Sequence, residues 1–154
     1  MTRDQKHLRI SQLDKKIAQF LRLKELLIPG GGWIYAIRTA LGMSLKQLGE
    51  KLEITPQAVR AIEQREEDGS LTLQRLKEVA AALDMQVVYA LVPKDESLEK
   101  MIEKHARQMA KEIVLKTSHT MHLENQGIDK EALTEAIERR TEKLKSELPK
   151  KLWD

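Results

Sequence analysis

The sequence predicts a mainly α-helical protein with one short β-strand, an N-terminal helical arm and a C-terminal helical extension. Three observations carry this. The 154 residues include only two Trp, two Tyr and one Phe, so the core falls to Leu, Ile, Val, Ala and Met, a set that suits helices better than an all-β sandwich. Apolar residues recur at spacings of three and four through most of the chain. Helix-start residues stand in front of those periodic stretches, and glycines or prolines stand behind several of them. With no cysteine, disulfides and cysteine-based zinc sites are excluded. No apolar run approaches the ~20 residues of a membrane span. Residues 1–13 are polar from the start, so no signal peptide is expected and a cytoplasmic protein is.

Pro29-Gly30-Gly31-Gly32 is the strongest break, because Pro restricts the residue before it and three glycines do not sustain a helix. It sets an arm at 1–29 apart from a middle domain at 33–93 and a C-terminal region at 94–154. Charge follows the same division. The arm carries 7 basic and 3 acidic side chains, the next stretch (30–93) 7 and 8, and the C-terminal region 13 and 13. The excess of positive charge thus sits in the arm, where Ile10, Leu13, Ile17, Phe20 and Leu27 form one apolar face. That face is expected to pack on its own chain or on a twofold mate.

The middle domain reads as short, punctuated helices. Ile34, Ile37 and Leu41 share a stripe that Gly42 ends at a C′ position. Ser44 and Gln47 make a capping box ahead of Leu45, Leu48 and Leu52. Thr55 is an N-cap with Pro56 at the first helical position, and Val59 and Ile62 face inward. Gln57, Arg60, Ala61 and Gln64 are left on the outer face. Residues 66–70 read as a polar turn, and Leu73, Leu76, Val79, Ala80 and Leu83 mark another helix. Residues 86–92, with Val87, Val88, Tyr89 and Leu91, form the one predicted strand, which Pro93 ends. Two longer helices are predicted beyond it. One spans 95–125 with Leu98, Met101, Ile102, His105, Met109 and Ile113. The other spans 129–148, behind an Asp129 N-cap, with Leu133, Ile137, Leu144 and Leu148.

Two capped helices joined by the short turn Glu53-Ile54 allow the second to enter a major groove while the first crosses the DNA backbone. Met43-Ser44-Leu45-Lys46-Gln47-Leu48-Gly49 and Ile54-Thr55-Pro56-Gln57-Ala58-Val59-Arg60-Ala61-Ile62-Glu63 resemble the Xre/Cro/phage-repressor helix-turn-helix family over about residues 33–84. The resemblance implies a lambda-repressor-like domain that reads double-stranded operator DNA as a homodimer. It implies a phosphate contact from Gln47 and DNA-facing positions at Thr55, Gln57, Arg60, Ala61 and Gln64. The chemistry agrees, since Gln pairs with adenine, Arg with guanine, and an alanine methyl meets a thymine methyl. Glu63, Glu66, Glu67 and Asp68 are expected to place negative charge near the phosphates and oppose binding. The basic arm, through Lys15 and Lys16, is expected to add salt-sensitive affinity.

Some 60 residues follow the strand, more than a simple repressor needs. Within them Thr120-Met121-His122-Leu123-Glu124-Asn125 fits the pattern Ser/Thr, three residues, Glu, Gly/Asn. That pattern resembles the inhibitory helix of antitoxins that silence Fic-domain adenylyltransferases. The resemblance implies that Glu124 takes the arginine with which a Fic enzyme grips the γ-phosphate of ATP, as a bidentate carboxylate partner. Thr120 would support Glu124, and Asn125 would close the motif. The combined architecture resembles mobile mystery protein A, a small regulator encoded beside a Fic protein in mobile elements. This chain has no Fic signature of its own, so the Fic toxin is expected to be a separate partner.

No enzyme, cofactor or metal is expected. Ser44, Ser118 and Lys116 form no nucleophile-base arrangement. His119 and His122, three apart on a helix, lack a carboxylate shell. Gly30-Gly31-Gly32 lacks the Lys-Ser/Thr of a phosphate loop and reads as a hinge. The expected function is an antitoxin and autoregulatory repressor. The alternatives are a plain dimeric Xre-family repressor and an antitoxin of an unrelated toxin such as an mRNA interferase.

Overall fold

The computed structural model describes residues 1–123 and 129–154, with side chains described for 1–119 and 129–154. In chain order the helices are α1 (Arg3–Ala18), α2 (Gly32–Ala40), α3 (Leu45–Leu52), α4 (Pro56–Glu67), α5 (Leu73–Ala82), α6 (Leu98–Leu123) and α7 (Lys130–Glu147). Short 3-10 segments follow α1 at Leu21–Glu25 and α7 at Lys150–Trp153. The chain divides into two compact units. One comprises Met1–Lys24 with Ala90–Asp154, and the other Glu25–Tyr89.

The unit of Glu25–Tyr89 holds α2 to α5 around Ile34, Leu48, Val59, Ile62, Val79 and Leu83, with Leu45, Leu52, Ile54 and Leu76 packed on that center. Leu48, Val59 and Val79 are wholly excluded from solvent. Burying such side chains contributes ~1.5–3 kcal/mol each. Leu41, expected on the α2 stripe, is instead exposed just past the helix end, because α2 stops at Ala40 and Leu41 is its C-cap.

The same device ends all four helices of this unit. Gly42, Glu53, Gly69 and Asp84 have positive φ. At each, the following amide reaches back five residues, as in Met43 N to Arg38 O at 2.9 Å and Ile54 N to Gly49 O at 2.9 Å. These are Schellman closures, which satisfy the last carbonyls and turn the chain sharply. They keep the connections between helices to a few residues each.

The other unit is built on α6 and α7. Ile102, Ala106 and Ala110 of α6 and Leu144 of α7 are buried together with Leu148 and Leu152, and Ile10 of α1 packs against them. Alanines at the contact let the two backbones approach. Thr141, fully buried on α7, satisfies its hydroxyl on the Ile137 carbonyl at 2.7 Å. Arg107 pairs with Glu138 across the two helices. Asp14 of α1 caps α6, accepting from Leu98 N at 2.8 Å and Glu99 N at 3.2 Å. The apolar face expected in the arm is therefore used only in part. Ile10 joins the core, while Leu13 and Leu27 remain exposed.

The strand predicted at 86–92 is not formed, and no strand occurs among the described residues. Its composition is that of a strand, but a strand exists only through a ladder with a neighbor. No other segment among the described residues supplies one.

Candidate nucleic-acid interface

The local sequence builds the interface from two capped helices. Ser44 Oγ accepts from Gln47 N at 3.1 Å, and Gln47 Oε1 accepts from Ser44 N at 2.8 Å. This capping box starts α3 and leaves Gln47 Nε2 without a protein partner among the described residues. Thr55 Oγ1 accepts from Ala58 N at 3.1 Å and starts α4, with Pro56 at the first helical position. Between them Glu53 adopts φ 56° and Ile54 closes onto Gly49. A Cβ on Gly49 would lie 2.7 Å from the Ile54 carbonyl oxygen, so only glycine lets the turn fold back onto α3 this tightly.

α4 then presents two chemically distinct faces. Val59, Ile62 and Glu63 are buried, whereas Gln57, Arg60, Ala61 and Gln64 are exposed, together with Gln47 of α3 and Thr55 at the cap. None of these six side chains has a role in the core. Thr55 is spent on the cap. Gln64 is engaged locally, its Nε2 donating to Asp68 Oδ1 at 3.1 Å and Glu67 Oε2 at 3.4 Å. Gln57, Arg60 and Arg65 thus stand as the long polar side chains exposed on α4 that no bond constrains among the described residues.

The acidic residues of α4 do not form the negative patch expected from sequence. Glu63 is buried against Arg38 of α2, with Oε1 accepting from Arg38 Nε at 2.5 Å and Oε2 from Nη2 at 3.3 Å. Arg38 Nη1 also donates to the Met43 carbonyl at 2.8 Å, fixing the α2–α3 turn. The hydrogen bond that Arg38 donates to Glu63 raises the Arg38 pKa above its ordinary value, against the burial that lowers it. Glu66 points the same way and caps α2, accepting from Trp33 N at 3.0 Å and Ile34 N at 2.9 Å. Gly31, the N-cap of α2, has no side chain for that task. A Cβ on Gly32 (φ 86°) would sit 2.9 Å from the Glu66 carboxylate. The glycine run expected to be a hinge is therefore a cradle that admits a capping carboxylate. Only Glu67 and Asp68 remain as exposed acids at the end of α4.

The inward roles of Arg38, Glu63 and Glu66 differ from the outward charge expected of the two acids, although helical period carries the signal. Val59, Ile62, Glu63 and Glu66 lie at i, i+3, i+4 and i+7, and Ile34 and Arg38 at i and i+4. Both carboxylates therefore occupy inward positions. Of the other predicted site, Glu124 and Asn125 lie outside the described residues, and Thr120 is described only through the helical backbone of α6.

An exposed polar face on a capped second helix, a tight turn and a first helix packed through Leu48 define a helix-turn-helix of the DNA-binding kind. Residues 34–89 match the family model described as Helix-turn-helix (HTH_3), and the chain therefore contains an Xre-type helix-turn-helix domain. No curated protein and no solved structure matches the chain. No helix is long and apolar enough to cross a membrane among the described residues.

Proposed function

We propose that the protein is a transcriptional repressor that binds a palindromic operator as a dimer and reads bases through α4. It acts by binding and not by catalysis, in the cytoplasm where its operator is. The observation that carries this reading is the outer face of α4, where Gln57 and Arg60 stand unconstrained beside the Ala61 methyl. Arg60 suits the acceptor edge of guanine and Gln57 that of adenine, each good pair discriminating by ~1–3 kcal/mol. The positive end of α3, with the Gln47 amide donors, suits a phosphate. Engagement of Glu63 by Arg38 and of Glu66 by the α2 amides reduces the repulsion expected from sequence. Binding of the DNA fragment upstream of the protein's own reading frame tests the reading. Retention at moderate salt, lost on Arg60→Ala, is expected. Neutralizing Lys15 and Lys16 together should weaken all sequences alike and flatten the salt dependence. Equal retention of operator and unrelated DNA by the wild type contradicts it.

A second activity is proposed for the C-terminal helices, supported by the single Thr120 to Asn125 pattern and the resemblance to mobile mystery protein A. Glu124 would occupy the γ-phosphate arginine of a Fic-type adenylyltransferase, with Thr120 and Asn125 completing the motif. The protein would then be an antitoxin as well as the repressor of its own operon. Co-expression of a neighboring Fic protein with wild type or Glu124→Gly separates the two outcomes. Adenylylation released by the variant supports the inhibitory helix, and equal suppression by both removes it.

A further inference from the structure

Within the unit built on α6 and α7, residues of α1, of the first turns of α6 and of the closing 3-10 segment line a groove of about 370 Å³. Its apolar lining includes Ile10 of α1, Leu98, Met101 and Ile102 of α6, and Leu148 and Trp153 beyond α7. Trp153 is 51% exposed and rests against His105, with ring centroids 5.2 Å apart. An aromatic ring held in place and half open to solvent is a ready anchor, and Trp, Met and Arg are the residues that protein interfaces favor. Every charged residue lining the groove is a cation: Lys6 and Arg9 of α1, and Lys150 of the 3-10 segment. Other cations of this unit are matched, Arg107 with Glu138, Lys104 with Asp95 and Lys145 with Glu142. Lys6, Arg9 and Lys150 have no carboxylate partner among the described residues, and no Asp or Glu lines the groove.

We infer that this groove docks an acidic amphipathic helix of another protein, its apolar face against Met101, Ile102 and Trp153 and its carboxylates on Lys6, Arg9 and Lys150. Charge complementarity selects this occupant. A second copy docked through the same face about a twofold axis would bring its own three cations against these three, and like charges across an interface are costly. The cations also do not converge on one point. Lys6 and Arg9 are one turn apart on α1, and Lys150 stands on a different element, so the rim suits several carboxylates rather than one acidic head group. Carboxylates three or four residues apart on a helix supply that spacing, beside apolar anchors at i, i+3 and i+7. The flexible thioether of Met101 adapts to the anchor it meets. The inference is independent of operator reading, which belongs to the other unit, and of the Thr120 to Asn125 motif, at the opposite end of α6.

The chain has two tryptophans, so Trp33→Phe leaves Trp153 as the single reporter in the full chain. The probe is a synthetic helical peptide of about four turns, with Leu at i, i+3 and i+7 and Glu on both flanks of that stripe. Its addition is expected to shift Trp153 emission to the blue, with a micromolar Kd that weakens as salt rises. The same peptide with Lys in place of each Glu should bind at least about tenfold more weakly. The double variant Arg9→Glu/Lys150→Glu, at two exposed positions, should lose about tenfold or more for the acidic peptide, and circular dichroism checks that its helices are retained. No shift at about 100 μM acidic peptide overturns the inference. Equal binding of the two peptides overturns it, as does binding that a folded double variant leaves unchanged. Dodecanoate that shifts Trp153 emission where the acidic peptide does not would give the groove to a small anionic amphiphile. Self-association of the wild type that the double variant abolishes would give it to a second copy. Either result removes the acidic helix as its occupant.

Discussion

Single side chains in this protein divide between those that hold α4 and those that α4 offers outward. Arg38 and Glu63 belong to the first kind. A buried ion pair contributes little over an apolar replacement, but removing one partner leaves the other charge desolvated and costs ~3–5 kcal/mol. Glu63→Ala is therefore expected to lower stability by about that much in urea unfolding, and the pair Arg38→Met/Glu63→Leu to recover most of it. Glu66→Ala should cost ~1 kcal/mol, the scale of a lost helix cap. Near-neutral results for both single variants would mean that the α2–α4 contact is held by apolar packing alone. Arg107 and Glu138 make a pair of a different kind, on the exposed flank of α6 and α7. The Arg107 hydrogen bond holds the Glu138 carboxyl below its ordinary value. A depressed carboxyl stabilizes the fold above its ordinary value and loses that contribution as pH falls through the folded value. The small stability difference between wild type and Glu138→Gln should accordingly begin to fade as pH drops below the ordinary carboxylate range, ~4.3, and be gone once the depressed folded value is passed. A difference unchanged from neutral pH to acid would assign it to packing.

Helix ends decide how the elements turn, and they were the part of the fold best written in the sequence. Ser44 with Gln47, Thr55 with Pro56, and Asp129 each start the helix they were expected to start. Gly42 and Gly69 take the left-handed C′ positions. Glu53 and Asp84 take the same conformation without being glycine; Asp visits it at modest cost, whereas propensity gives no warning at Glu53, where the following Ile54 packs on the core. Glu53→Gly is expected to raise stability by up to ~1 kcal/mol, measured as a higher unfolding midpoint. A loss would show that the Glu53 side chain carries a contact of its own. The strand failed for a reason that sequence periodicity does not contain: residues 86–92 have strand composition but no partner in their own chain. Asp14 capping α6 was invisible for a similar reason, since the two residues of each bond are more than eighty apart in sequence. On α4, the outward residues were legible from helical period alone. The inward carboxylates were misread because charge was weighed without regard to face.

At the scale of the whole chain, the near balance of 27 basic against 24 acidic side chains conceals different chemistry in different parts. The helix-turn-helix unit engages the Glu63 and Glu66 carboxylates in its own scaffold and leaves α4 a polar outer face whose exposed acids, Glu67 and Asp68, stand at its C-terminal end. The basic segment at 1–29 belongs to the other unit through residue 24, where α1 caps and packs on α6. Lys15 and Lys16 lie in the last turn of α1 and are exposed there, so their contribution to DNA affinity is a matter of charge and salt, separable from base reading. The central claim is that sequence is read by α4. It is tested most directly by the ratio of affinities for the selected operator and for unrelated duplex at one salt concentration, compared between wild type and Arg60→Ala or Gln57→Ala. Each substitution is expected to lower that ratio by roughly 5- to 150-fold, the equivalent of ~1–3 kcal/mol, while leaving affinity for unrelated duplex nearly unchanged. A ratio that survives both substitutions would place base reading elsewhere and contradict the claim.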